Sequence, residues 1–194
     1  MKNLILLLAT FFIFNTNNIY GQKQFESDGV IVPRYIDYKY KKLELNGFGT
    51  RSKLWIDVYV QALYLSKLSQ DPKEILENND EMAIRIQIIS ALVTSEKLSK
   101  ALKKGLIKSV GKDKISEIKA QSDLLLKFIS NEPTMKDDFF NLIYDKTEES
   151  IIVFKNDILV GKIAGLNFKK AFFGIWLSEN PVDKDLKNEL LGKN

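Results

Sequence analysis

Residues 43–65 read LELNGFGTRSKLWIDVYVQALYL. The stretch begins as a short alternating strand on Leu43 and Leu45, passes Gly47, Gly49 and Arg51, and enters a longer alternating run from Leu54. One side of that run carries Leu54, Ile56, Val58, Val60, Ala62 and Tyr64; the other carries Trp55, Asp57, Tyr59, Gln61, Leu63 and Leu65. A period of two over this length predicts a strand, because successive side chains of an extended chain point to opposite faces. The glycine segment reads as the turn between two paired strands. The first side is apolar enough to be buried. The second mixes an indole, a carboxylate, a phenol and an amide, which neither a solvated face nor a plain core requires.

On either side of this stretch the pattern alternates between strands and helices. Gln22 to Asp28 is polar and reads as loose chain. Val30-Ile31-Val32 is a short strand stopped by Pro33, which fits a strand end and not its middle. Arg34 to Tyr40 alternates with aromatics. Asp71-Pro72 opens a short helix to about Asn78, with Asp as the cap and Pro at the first helical position. Glu81 to Ile89 is a strand with Met82, Ile84, Ile86 and Ile88 on one face. Thr94 caps a helix from Ser95 to Val110, whose apolar stripe is Leu98, Ala101, Leu102, Leu106 and Val110. Its opposite face carries Lys97, Lys100, Lys103, Lys104 and Lys108. That face is either solvated or suited to weak contact with an anionic surface such as lipid head groups.

Asp113 reads as the cap of a second long helix to about Ile129, apolar on two sides. Asp137 to Asp145 is apolar and ambiguous between helix end and strand. Ser150 to Lys155 and Ile158 to Ile163 form a hairpin, because Asn156-Asp157 tolerates the positive φ of a two-residue turn. Asn167 reads as the cap of a helix from Phe168 to Leu177. Pro181 opens a last helix through Leu191, stopped by Gly192. The order predicts an α+β fold with an antiparallel sheet and helices on one face, as a single domain over residues 22–194.

Composition narrows the chemistry. The chain has 194 residues, no cysteine and no histidine. Disulfides, thiol catalysis, thiolate metal sites and histidine-based triads are therefore excluded, and neither a metal nor a cofactor is expected. The net charge of +4 is spread along the chain, so nucleic acid is not an expected partner. Lys2 followed by the apolar run Leu4 to Phe14 reads as a signal peptide, residues 1–21, cleaved after Gly21. The run is too short to span a bilayer of about 30 Å as a helix. A periplasmic or secreted location is expected.

Gly47-x-Gly49-x-Arg51, the aromatic-rich strand ending Ala62-Leu63-Tyr64-Leu65, and the tail Phe168-x-x-Ala171-x-x-Gly174-Ile175-Trp176-Leu177 with Pro181 and Leu190-Leu191-Gly192 resemble the chalcone isomerase superfamily, in particular its bacterial, periplasmic chalcone isomerase-like branch. The resemblance implies an open-faced β-sandwich, a curved antiparallel sheet over a layer of helices with a cleft between them. It implies that Arg51 falls on the cleft arginine, which in the plant isomerases stabilises a phenolate or enolate. The family threonine falls on Tyr59. The catalytic tyrosine falls on Leu98 and the neighbouring asparagine on Gly105, and Ser95 to Val110 holds neither Tyr nor Asn.

The resemblance then favours the superfamily's fatty-acid-binding members, in which the arginine holds the ligand carboxylate. A guanidinium presents a planar fork to a carboxylate, and a phenol adds a neutral donor. The expected ligand-binding residues are Arg51, Tyr59, Trp55 and Gln61, with Arg51 the catalytic residue if there is one. The alternatives for the same residues are plain: Arg51 paired with Asp57, Tyr59 a half-buried strand aromatic, Trp55 a core residue. The expected function is a non-catalytic binder of a fatty acid or other apolar carboxylate. An intramolecular lyase or isomerase of the chalcone isomerase type and a surface-acting protein with no small ligand are the alternatives. The sequence leaves the oligomeric state open.

Overall fold

The computed structural model describes residues 24–193, so the signal peptide expected at 1–21 lies outside the described residues. Seven strands form one antiparallel sheet in sequence order: β3 (Tyr35–Tyr38), β4 (Lys41–Lys53), β5 (Ile56–Leu65), β6 (Met82–Ile88), β7 (Phe139–Asp145), β8 (Ser150–Lys155) and β9 (Ile158–Ala164). Two short strands, β1 (Phe25–Ser27) and β2 (Val30–Val32), form a separate hairpin. The helices are α1 (Pro72–Glu77), α2 (Ser95–Val110), α3 (Lys119–Ser130), α4 (Leu166–Leu177) and α5 (Lys184–Leu190), with a 3₁₀ turn at Ile115–Ile118.

Both faces of β5 are covered from Val60 to Leu65, where every residue is buried, while its first residues, Ile56 and Asp57, are exposed. Leu63 and Leu65 join Met82, Ile84, Ile86, Ile88, Leu142, Val153 and the helices α2, α3, α4 and α5 in the main core. Val60, Ala62 and Tyr64 face the other way and pack under Val30, Val32, Ile36 and Leu43. The Tyr64 hydroxyl donates to the Pro33 carbonyl at 2.8 Å, tying the β1–β2 hairpin's exit to the outer face. The fold is thus the expected α+β curved sheet on a helical layer, with a small β lid on its outer side.

Several expectations are corrected. The glycine segment is not a turn: Gly47 and Gly49 lie inside β4, paired with Leu63 and Gln61. The turn is Leu54-Trp55, and both residues take left-handed backbone, φ 50° and 67°. Turn chemistry missed it because such a two-residue hairpin favours Asn-Gly, not Leu-Trp. The glycines serve close packing instead. A Cβ on Gly47 would lie 2.1 Å from the Glu189 carbonyl oxygen, and one on Gly49 would run into the Glu189 carboxylate. Helix α5 sits directly on β4 at these two residues. Gly47→Ala should therefore push α5 off the sheet and destabilise the protein by about 1–3 kcal/mol, the range for overpacking against backbone. Urea denaturation reads this, and an unchanged midpoint would contradict the close contact.

Gln22 to Asp28 is not wholly loose, since Phe25–Ser27 pairs with β2. The apolar segment 137–145 resolves to strand β7. Asp113 caps nothing: a 3₁₀ turn intervenes before α3 begins at Lys119. The cap of α4 is Gly165, not Asn167, and that of α5 is Asp183, two residues after Pro181. Ala101 in α2 is exposed, so the buried stripe is Leu98, Leu102, Gly105 and Leu106.

One polar contact inside the core fastens α4 to α1. Lys169 is fully buried, and its Nζ donates to the carbonyls of Ile75, Leu76 and Asn78 at 2.9, 2.9 and 2.8 Å. These are carbonyls at the end of α1, which its own backbone cannot satisfy. Burial pushes the Lys169 ammonium down to about 8.

Candidate functional site

The sequence-predicted residues converge on the helix-facing side of β4 and β5, with one exception. Arg51 and Tyr59 are cross-strand partners, and Gly49 and Gln61 are the next same-face pair. A bulge between Arg51 and Ser52 follows at once. Arg51 keeps 24% of its side chain exposed. Its Nη1 donates to the Ser52 carbonyl and to Asp183 Oδ2, each at 2.6 Å. Asp57, the alternative partner for Arg51, instead accepts from the Ser52 hydroxyl at 2.5 Å. Asp183 lies 132 residues away in sequence, at the start of α5, and no local pattern could reveal the pairing. Its other oxygen caps α5 by accepting from the Asp185 and Leu186 amides.

Tyr59 is half-buried, and its hydroxyl accepts from the Trp176 indole N–H at 3.3 Å. Burial raises its pKa, partly offset by the Trp176 hydrogen bond and the Arg51 charge. The phenol stays protonated and keeps an O–H to donate. Gln61 is 0% exposed, yet neither its Oε1 nor its Nε2 has a hydrogen-bond partner among the described residues. A buried amide without partners costs about 1–3 kcal/mol, so its retention calls for a physical reason. Glu189 of α5 lays its carboxylate over Gly49, directly across from Gln61. Burial holds the Glu189 carboxyl above its usual range, helped by Asp183, Asp185 and Asp28.

Trp55 does not belong to this site. It sits at the tip of the β4–β5 turn and is fully exposed, because the turn falls at Leu54-Trp55 and takes the residue out of the strand's alternation. Sequence reasoning missed Asp183 and Glu189, and placed Trp176 only within a tail pattern. At the two positions where the resemblance leads one to expect the isomerases' tyrosine and asparagine, Leu98 is buried in the main core and Gly105 packs against Ile175. The arrangement is therefore a guanidinium paired with Asp183, a phenol donor, a free amide and the Glu189 carboxylate, set at the edge of an apolar core and covered by α5. It can hold an anionic or polar head group only where that group takes the place of Asp183 on Arg51. An open groove of about 530 Å³ borders β4 nearby, with Phe25, Leu45, Phe48, Thr50 and Glu189 among its walls; Arg51, Tyr59 and Gln61 do not line it. Its volume is in the range of small-molecule sites. Among the described residues no cluster of acidic side chains is arranged to hold a metal ion.

The structure is similar to that of a fatty-acid binding protein of Arabidopsis thaliana, with a TM-score of 0.72 and 17% sequence identity over 87% of this chain and 96% of that one. At that identity the likeness is one of fold. A search of the curated proteins finds no relative. The sequence pattern described as chalcone isomerase-like matches residues 24–192, nearly the whole described chain, and the protein belongs to that family.

Proposed function

We propose that this protein is a non-catalytic binder of a fatty acid or other apolar carboxylate, exported from the cytoplasm, with the ligand head group held by Arg51, Tyr59 and Gln61. The observation that carries this reading is Gln61: a fully buried amide with both polar atoms unpartnered, one residue pair along from a guanidinium. A ligand carboxylate would replace Asp183 on Arg51, accept the free Tyr59 O–H, and bring a polar group within reach of the amide. Helix α5 is the element that must yield, since it supplies both Asp183 and Glu189. The fatty-acid-binding structural neighbour and the absence of tyrosine and asparagine from α2 support binding over ring closure.

Gln61→Leu tests this directly. Leucine fills similar space without a polar debt, so the variant should be more stable than wild type by about 1–3 kcal/mol. The same change should weaken binding of a fluorescent long-chain fatty acid. This is the stability–function trade-off expected where a side chain is kept for a ligand. A destabilised variant with unchanged fatty-acid affinity would make Gln61 an ordinary core residue and remove the main support.

A further inference from the structure

We propose that the end of the sheet carrying the Leu54-Trp55 turn, together with the lysine face of α2, docks on an anionic phospholipid bilayer surface. Trp55 is fully exposed and Leu54 is 80% exposed, at a turn whose left-handed backbone Asn or Gly would hold without strain. The same end gathers further exposed apolar side chains from three other connections: Leu92 between β6 and α2, Met135 between α3 and β7, and Ile158 after the β8–β9 turn. These connections are tied to one another. Ser95 Oγ donates to the Glu132 carbonyl, Lys155 Nζ to the Pro133 carbonyl, and the Phe139 amide to Asn156 Oδ1.

Helix α2 lies along this end. Near its start Lys97 Nζ donates to the Leu92 carbonyl, and near its finish Lys108 Nζ donates to the Pro181 carbonyl, two residues before Arg51's partner Asp183. Lys97, Lys100, Lys103, Lys104 and Lys108 are all exposed. Among the described residues no carboxylate lies within ion-pair distance of any of them. Asp57, Asp137 and Asp157 at this end offset Lys53 and Lys136, so the attraction to anionic lipid falls to α2. The apolar groups stand singly on separate loops, unlike the continuous groove that takes a folded partner. A bilayer interface needs no such shape: it takes a tryptophan at head-group depth and lysines against its negative charge. No described helix is long and apolar enough to cross a membrane, so the contact is with the surface. This inference does not depend on fatty-acid binding.

Tryptophan emission tests it, because Trp176 is buried and Trp55 is the other tryptophan of the chain. Phosphatidylglycerol–phosphatidylethanolamine vesicles should shift the emission to the blue and carry the protein into the pellet. Raising salt to about 0.5 M should release it, as screening shortens the reach of the lysines. Phosphatidylcholine vesicles should bind at least about tenfold less, since they lack the surface potential. The double variant Leu54→Asn/Trp55→Gly supplies the preferred turn, so it should melt no lower than wild type while losing at least about tenfold in vesicle binding. It should keep its fatty-acid affinity, which separates the two readings. No blue shift with anionic vesicles at low salt, equal binding to phosphatidylcholine, or undiminished sedimentation of the double variant would each overturn the proposal. So would a soluble dimer that the double variant dissolves without any vesicle binding.

Discussion

Lys169→Met should destabilise the protein by about 3–5 kcal/mol, the range for stripping one partner from a buried charged contact. Methionine is one heavy atom shorter than lysine and replaces its apolar stem, so packing of the stem is nearly kept. What goes is the donor to three carbonyls at the end of α1. Each buried acceptor left without a donor costs about 1–3 kcal/mol, and relief of the ammonium's own desolvation offsets part of the sum. The pH dependence gives a second readout. Burial lowers the Lys169 pKa from 10.5 to about 8. Between those values the unfolded chain binds more protons than the folded one, so wild-type stability should rise with pH across that window. The raised pKa of Tyr64 works the other way, but only above its ordinary value of 10.0. Urea denaturation at pH 7.5 and 9.5 should show the rise in wild type and none in Lys169→Met. A loss under about 1 kcal/mol would mean that water replaces the ammonium at α1.

Arg51→Ala should weaken binding of a long-chain fatty acid by about 1.5–3 kcal/mol, the range for hydrogen bonds to charged groups. That is about 10- to 150-fold in Kd. The apo protein should lose less, because Asp183 keeps its capping bonds to the Asp185 and Leu186 amides when the guanidinium goes. Glu189 gives the binding a pH signature. Its carboxylate lies over Gly49 beside the proposed head-group position, and its pKa is raised. Lowering pH into that raised range neutralises a repelling charge, so carboxylate affinity should increase until the ligand itself protonates. In Glu189→Gln that increase should vanish. Isothermal titration across pH reads both effects.

Much of the fold was legible because its signals are local. The period-two runs gave β5, β6 and β8–β9, and Asp71-Pro72 and Thr94 marked the starts of α1 and α2. The errors have local causes too. Leu54 and Trp55 carry no turn signature, so period-two patterning carries the strand through them and points Trp55 into the cleft. Gly47 and Gly49 look like a turn in isolation; the contact that requires them comes from α5, some 140 residues later. The site divides the same way. Arg51, Tyr59 and Gln61 share a face by strand parity and register, which sequence can suggest. Asp183 and Glu189 reach them by tertiary packing, which it cannot.

Native mass spectrometry of the purified protein, wild type beside Arg51→Ala, tests the carrier reading most directly. Wild type should show adducts of fatty-acid mass that Arg51→Ala lacks. A bare wild-type mass that stays bare after incubation with excess fatty acid, or adducts equal in both proteins, would contradict it.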